Sequence, residues 1–125
     1  MKKRIFISFP VEDKNLRDLL VGQARNDNSP FEFIDMSVKT PWDSAWKTNC
    51  RTKIKGCDGL IAIITKNSKM SDGELWEVKC AIEEEVPCIG ICTSAAPFTL
   101  PPSNYPYIKV INWDWYSIAA WMKTL

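Results

Sequence analysis

Three short stretches of this sequence are almost entirely apolar, and they constrain the fold more than any other feature. They are RIFISF near the start, DGLIAIIT in the middle and PCIGICT further on. Uninterrupted apolar runs of this kind are typical of β-strands covered on both faces, as in a parallel sheet between two layers of helices. The segments between them carry apolar residues at helical spacing. The pattern therefore predicts an α/β fold built from βα units.

Two further strands, FEFIDMSV and YIKVIN, bring the predicted total to five in one domain spanning residues 1–125. A three-layer flavodoxin-like sandwich, with a five-stranded parallel sheet of order 2-1-3-4-5, accommodates this succession of elements. The connection before the last strand, SAAPFTLPPSNYP, is too rich in proline for a long helix. The fourth crossover is therefore expected to be irregular.

Composition and charge exclude several classes of function. A formal net charge of +1 gives no field that would attract nucleic acid or an anionic membrane, and no apolar run approaches the roughly 18 residues of a membrane helix. The start, MKKRIFISFP, is expected to be a strand and not a signal peptide. Five cysteines without a CxxC pair, and no histidine, indicate a cytoplasmic protein without a metal site. The missing histidine also excludes Ser-His-Asp and Cys-His catalysis.

Ligands of an open parallel sheet bind beyond the carboxyl ends of the strands, where the strand order reverses. The candidate residues there follow strands one, two and three: Ser8, Phe9, Pro10, Glu12 and Asp13; Asp35, Ser37 and Trp42; and Thr65, Asn67 and Ser68. The loop after strand one has no glycine and two acids, which disfavours a flavin phosphate site. Strand three ends in a threonine where a phospho-accepting receiver needs an aspartate, and no GxGxxG is present.

The stretch SDGELWEVKCAIEEE predicts a helix with five glutamates. Its inward stripe is expected to contain Leu75, Val78, and Ala81 or Ile82. Glu74 lies near the N-terminus, where a solvated acid complements the helix dipole. The last three glutamates, Glu83 to Glu85, are expected to form a solvated end. Glu77 lies at the border of the buried face, which makes it the carboxylate most worth considering for chemistry.

Two segments resemble Toll/interleukin-1 receptor (TIR) domains. RIFISFPVEDKNLRDLL is similar to their first conserved box, and IKGCDGLIAIITKNSKMSDGELWEVKCAIEEEVPCIGI is similar to their central segment. The resemblance covers roughly residues 4–91 and is strongest to the prokaryotic TIR-like branch, which includes the sensor proteins of Thoeris antiphage systems. It implies that the chain consumes NAD as a substrate, with no separate cofactor. The product would be an ADP-ribose-type nucleotide, linear or cyclic, which signals to a separate effector protein.

The resemblance also implies roles for individual residues. Glu77 matches the family's catalytic glutamate, and Ser71 matches the loop serine at the family's spacing before it. The family's glutamate contacts the ribose next to nicotinamide, where a carboxylate stabilises an oxocarbenium-like transition state. Nicotinamide leaves as a neutral base, so no histidine is required. The remaining substrate-binding positions implied at the strand ends are Ser8, Phe9, Pro10, Asp35, Ser37 and Trp42.

Two departures from the family leave alternatives open. Gly73 stands where the family usually has a tryptophan, and Trp76 instead adjoins Glu77. A shifted helix start would make Glu74 the catalyst. The loop VKTPWDSA differs from the glycine-containing loop that governs self-assembly in animal and plant TIR domains, although self-association is still expected. The chain could instead be a catalytically silent TIR-like interaction module, in which Glu77 pairs on the surface with Lys47 or Lys79.

Overall fold

The computed structural model describes residues 2–28, 30–36, 39–92 and 105–125. Five parallel strands form one sheet in the order β2-β1-β3-β4-β5, as predicted. The strands are β1 Lys3–Ser8, β2 Phe31–Ile34, β3 Gly59–Ile64, β4 Cys88–Cys92 and β5 Val110–Asn112. The α-helices of the described residues are α1 Lys14–Asn26, α2 Ser44–Lys55, α3 Asp72–Glu83 and α4 Trp115–Lys123. The irregular crossover predicted before the last strand falls mainly on residues 93–104, which lie outside the described part of the chain.

The sheet separates two apolar cores, one on each face. All six residues of β3 are buried, because successive side chains of a central strand alternate between two covered faces. Leu60, Ala62 and Ile64 contribute to the core beneath α2 and α3. Ile61 and Ile63 contribute to the core beneath α1 and α4. This arrangement confirms the predicted three-layer α/β sandwich.

Side-chain caps fix where the helices begin. Asp43 accepts a hydrogen bond from the backbone N–H of Trp46 at 2.9 Å, so the aspartate and not Ser44 caps α2. Ser71 caps α3 by accepting from the N–H of Glu74 at 3.4 Å. Each such cap contributes about 1 kcal/mol to helix stability. Both helices therefore start at the carboxyl edge of the sheet. Among the described helices, none combines the length and apolarity needed to cross a bilayer.

The aromatic residues of the C-terminal segment belong largely to the core. Trp113 and Trp121 pack against the core beneath α1 and α4, and the indole N–H of Trp113 donates to Gln23 at 2.8 Å. Tyr107 and Tyr116 are the exceptions, at 100% and 84% exposed. This distribution is the one expected of aromatics on a last helix that covers a sheet.

Candidate active site

Glu77 lies fully buried beside β1, the strand at which the order of the sheet reverses. The hydroxyl of Ser8, the last residue of β1, donates to Glu77 Oε1 at 2.8 Å. The ammonium group of Lys39 donates to the same oxygen at 2.6 Å. The side chains of Lys39 and Glu77 are only 4% and 0% exposed. The carboxyl edge of the sheet therefore contains a buried ion pair, held by a hydroxyl from the first strand.

Lys39 is the component of this site that the sequence did not predict. Its Nζ lies 4.5 Å from the ring centroid of Phe9, which is itself 1% exposed. The expectation that Lys47 or Lys79 would pair with Glu77 on the surface is wrong, because Glu77 is buried and Lys39 binds it. The available signals were indirect. Lys39 follows β2, whose carboxyl end adjoins that of β1, and a side chain at Gly73 would collide with it.

Burial and the polar partners of Glu77 shift its pKa in opposite directions. Desolvation raises the pKa of the carboxyl above its usual range, while the Lys39 ammonium and the Ser8 hydroxyl oppose that rise. The other oxygen, Oε2, has a long contact of 4.0 Å with the thiol of Cys50. The desolvation of Cys50, together with Glu77, raises the pKa of that thiol. Glu77 is therefore a buried carboxylate stabilised chiefly by a neighbouring cation.

The expectation that Glu74 is a solvated acid is wrong. Its side chain is 0% exposed, and neither carboxyl oxygen has a hydrogen-bond partner among the described residues. Burial raises its pKa well above the usual range, opposed first by the nearby Ser68 hydroxyl and then by Lys39. Burial, and after it Glu74, raises the pKa of the Tyr105 phenol. A desolvated carboxyl without a good partner is held in its neutral form.

The polar residues after β3 form a network of their own. Thr65 Oγ1 donates to Asp13, and Asn67 Nδ2 donates to both oxygens of the same carboxylate at 3.1 and 3.2 Å. The backbone N–H of Thr65 donates to Ser68 Oγ at 3.0 Å. These contacts tie the 3₁₀ turn at Val11–Asp13 to the end of β3. Several of the polar groups singled out at the strand ends therefore satisfy one another.

A cavity of about 190 Å³ lies over the Lys39–Glu77 pair. Lys39, Ser71, Gly73 and Trp42 are among the residues that line it. Trp42 is 76% exposed and also borders a second cavity of about 390 Å³, whose wall includes Trp76. The two cavities share lining residues, Trp42 among them, at the N-terminal end of α3, and together they are termed the cleft.

The other predicted site residues are placed less favourably. Asp35 lies within 3.4 Å of Arg17 Nε and lines a separate cavity of about 380 Å³ beside α1 and β2. Pro10 is buried, and its carbonyl accepts a hydrogen bond from the N–H of Asp13 at 2.8 Å. Ser37 lies outside the described residues. The residues brought together are therefore Glu77, Ser8 and Phe9, with Ser71 and Trp42 at the cleft above.

The end of α3 matches its prediction with one qualification. Glu83 and Glu85 are exposed, whereas Glu84 is half-buried. Both Glu83 and Glu84 form ion pairs with Arg51, whose guanidinium lies 5.5 Å from the ring centroid of Trp76. These glutamates link α3 to α2 and stand apart from the cleft. Among the described residues, no cluster of three or more potential metal ligands is present.

No family model and no curated protein matches this sequence. The fold is similar to that of a pilus assembly-related protein from Burkholderia pseudomallei, with a TM-score of 0.57 and 14% identity over 98% of this chain and 87% of that one. It is also similar to a 3-dehydroquinate dehydratase-like protein from Bifidobacterium longum, with a TM-score of 0.52 and 15% identity over 99% of this chain and 94% of that one. At these identities the likeness concerns architecture alone. The chain therefore has a flavodoxin-like α/β fold with a buried glutamate–lysine pair at its carboxyl edge.

Proposed function

We propose that this chain is a TIR-like, NAD-consuming enzyme that cleaves the N-glycosidic bond between nicotinamide and ribose. The product is an ADP-ribose-type nucleotide, linear or cyclic, which signals to a separate effector protein in antiphage defence. The proposal combines the sequence resemblance with the placement of Glu77, the residue that the resemblance implies is catalytic.

The observation that carries the proposal is the environment of Glu77. The carboxylate lies at the reversal of strand order, where ligands of this architecture bind. Ser8 and Lys39 hold its Oε1, and Lys39 also lines the cleft that contains Ser71 and Trp42. A carboxylate fixed by two donors in a water-poor site is suited to stabilising positive charge that develops on a bound sugar.

The chemistry needs few groups from the protein. When the bond between ribose C1′ and the pyridinium nitrogen breaks, its electron pair stays with nitrogen and nicotinamide leaves uncharged. Positive charge then resides on the ribose as an oxocarbenium ion, and Glu77 is the anion that stabilises it. Capture by water releases a proton and gives ADP-ribose, whereas capture by a nitrogen of the adenine ring gives a cyclic product.

One observation favours the alternative of a catalytically silent TIR-like interaction module. Glu77 is 0% exposed and already paired, while Trp42 and Met70 at the cleft mouth are 76% and 81% exposed. Exposed large apolar side chains grouped around a cleft are typical of binding surfaces. In this alternative the buried ion pair has a structural role, and the exposed side chains contact another protein.

Turnover of NAD by concentrated purified protein separates the two functions. The wild type, Glu77→Gln and Glu83→Gln would be incubated with NAD, and the products resolved by chromatography. Glu83 is the matched control because it lies on the same helix at its exposed end. We expect the wild type and Glu83→Gln to release nicotinamide and Glu77→Gln to release none, with the second product peak identifying a linear or cyclic nucleotide.

The proposal fails if the wild type leaves NAD intact even when concentrated or mixed with lysate from phage-infected cells. That result would favour the interaction module. Equal nicotinamide release by the wild type and Glu77→Gln would show that cleavage does not need Glu77 and would favour Glu74 as the catalyst.

A further inference from the structure

The ammonium group of Lys39 occupies a pocket that has the features of an organic-cation site. The carboxylate of Glu77 lies 2.6 Å away, and the face of the Phe9 ring lies beneath it, with 4.5 Å to the ring centroid. The hydroxyl of Ser8, at the end of β1, donates to the carboxylate at 2.8 Å. A carboxylate beside an aromatic face is the combination that attracts cations, the more so when it is desolvated. The pocket is therefore preformed, and a lysine of this chain fills it.

The shape of α3 accommodates this lysine. A Cβ atom at Gly73 would lie 2.7 Å from Lys39 Cδ and 2.8 Å from Lys39 Cβ, which is closer than non-bonded carbons approach. The absence of a side chain at Gly73 thus leaves a groove in which the stem of Lys39 lies. Any residue larger than glycine at this position would push the lysine away from Glu77.

Lys39 also separates Glu77 from the cleft. It lines the cavity of about 190 Å³, whereas Glu77 does not. The other charged side chains of that lining, among the described residues, are Glu12 and Asp72. A ligand that reaches Glu77 must displace the ammonium, and carboxylates at the rim are available to receive it. Because a buried carboxylate without a counter-charge is costly, a positively charged group would replace the ammonium at the lowest cost.

We propose that a pyridinium cation replaces the Lys39 ammonium against Glu77 and over Phe9, so that Lys39 is an internal competitor of the substrate. This inference rests on the proposed cleavage of NAD and deepens it by defining the substrate class. The site selects the oxidised, positively charged nicotinamide ring and rejects the reduced, uncharged one. The acidic residues Glu12 and Asp72 at the rim also favour a positively charged ligand. Lys39 lowers the pKa of Glu77, and a bound pyridinium would have the same effect.

The test uses two small ligands of nearly the same shape, the cation 1-methylnicotinamide and uncharged nicotinamide. Binding of each to the full chain would be measured by NMR titration for the wild type, Lys39→Gln and Lys53→Gln. Lys53 is an exposed lysine on α2 and controls for the change in net charge. We expect Lys39→Gln to bind 1-methylnicotinamide about tenfold more tightly than the wild type, because the internal competitor is gone. Lys53→Gln should match the wild type, and nicotinamide affinity should be unchanged throughout.

Gly73→Ala provides a second variant that keeps every charge and does not depend on how well Lys39→Gln folds. Its new methyl group displaces the stem of Lys39, so it should also bind the cation more tightly than the wild type. Unaltered cation affinity in both Lys39→Gln and Gly73→Ala, or an equal gain for uncharged nicotinamide, would overturn the inference.

The binding result is independent of catalysis, so the two proposals can fail separately. Tighter cation binding in the Lys39 and Gly73 variants, without any NAD cleavage by the wild type, would support the cation pocket and contradict the proposed enzymatic function. Glu77-dependent cleavage of NAD, without a change in cation binding, would support the proposed function and contradict the competitor role of Lys39.

Discussion

Glu74 and Glu77 lie about one turn apart on the same buried face of α3, yet their polar partners differ. Both are 0% exposed. Glu77 shares one oxygen with an ammonium and a hydroxyl, whereas Glu74 has no hydrogen-bond partner among the described residues. The two carboxyls are equally buried and differ in the partners that other elements supply.

The difference arises from which loops reach each carboxyl. Glu77 receives Ser8 from the end of β1 and Lys39 from the segment after β2. The donors that follow β3 are already engaged, since Thr65 and Asn67 both donate to Asp13. Burial therefore raises the pKa of Glu74 with less opposition from polar partners than Glu77 has. Environments that separate the pKa values of two neighbouring carboxyls are characteristic of sites that perform acid–base or charge-stabilising chemistry.

The largest effect should come from removing the cation that defines the Glu77 pocket. Lys39→Met keeps much of the side-chain volume but leaves the buried carboxylate unpaired, so we expect the free energy of unfolding to fall by about 3–5 kcal/mol at pH 7. Urea denaturation would measure it, with Lys53→Met as the exposed control. Adding Glu77→Leu to Lys39→Met should recover part of the loss. Strictly additive losses in the double variant would show that the two side chains do not depend on each other.

A smaller effect should appear in the pH dependence of stability, and it concerns Glu74. Burial raises its pKa above 4.5, so the folded chain retains a proton that the unfolded chain releases. The stability contributed by this group is complete below about pH 4.5 and is lost as the pH rises towards the folded-state pKa. Between the unfolded-state and the folded-state pKa, this one proton lowers the free energy of unfolding by about 1.4 kcal/mol for each unit of pH increase.

Denaturation curves of the wild type and Glu74→Gln between pH 4.5 and pH 7.5 would test this sign. The stability of Glu74→Gln relative to the wild type should increase with pH, because the amide does not titrate. The charged and titratable groups that act on Glu74 are Lys39, Glu77 and Asp13, and all three remain in the variant. Parallel stability–pH profiles would mean that Glu74 ionises normally in the folded protein.

The sequence predicted the sheet, its order and most of the core, because apolar runs and helical spacing directly reflect burial. It predicted only part of the buried face of α3, namely Val78 and Ala81. Glu74, Glu77, Val78 and Ala81 follow the inward spacing of a helix, but a stripe chosen by hydrophobicity assigns carboxylates to solvent. The pairing of Lys39 with Glu77 could not be predicted, since the two residues are 38 positions apart and meet only through the path that the chain takes after β2.

A further contrast between the two carboxyls should follow from replacing each with an apolar side chain of similar length. Glu74→Met removes a desolvated group without a partner, so we expect the free energy of unfolding to rise by about 1–2 kcal/mol at pH 7.5. Glu77→Met should instead lower it, because Lys39 then lacks its counter-ion. Thermal denaturation of both variants, with Glu83→Met as the exposed control on the same helix, would measure the difference. Destabilisation by Glu74→Met would indicate that the Glu74 carboxyl forms a stabilising interaction in the folded protein.

The smallest effect compares two glycines and tests whether the groove beside Glu77 is needed. A Cβ at Gly22 in α1 would meet nothing within 4 Å, whereas one at Gly73 would lie 2.7 Å from Lys39. Alanine is favoured over glycine inside a helix by about 1 kcal/mol, so Gly22→Ala should raise the free energy of unfolding by roughly that amount. Gly73→Ala should not show this gain and should lower the free energy of unfolding, because the displaced lysine pairs less well with the buried Glu77. Equal stabilisation by both substitutions, measured by urea denaturation, would show that Lys39 can leave its groove at no cost and that Gly73 does not hold it against Glu77.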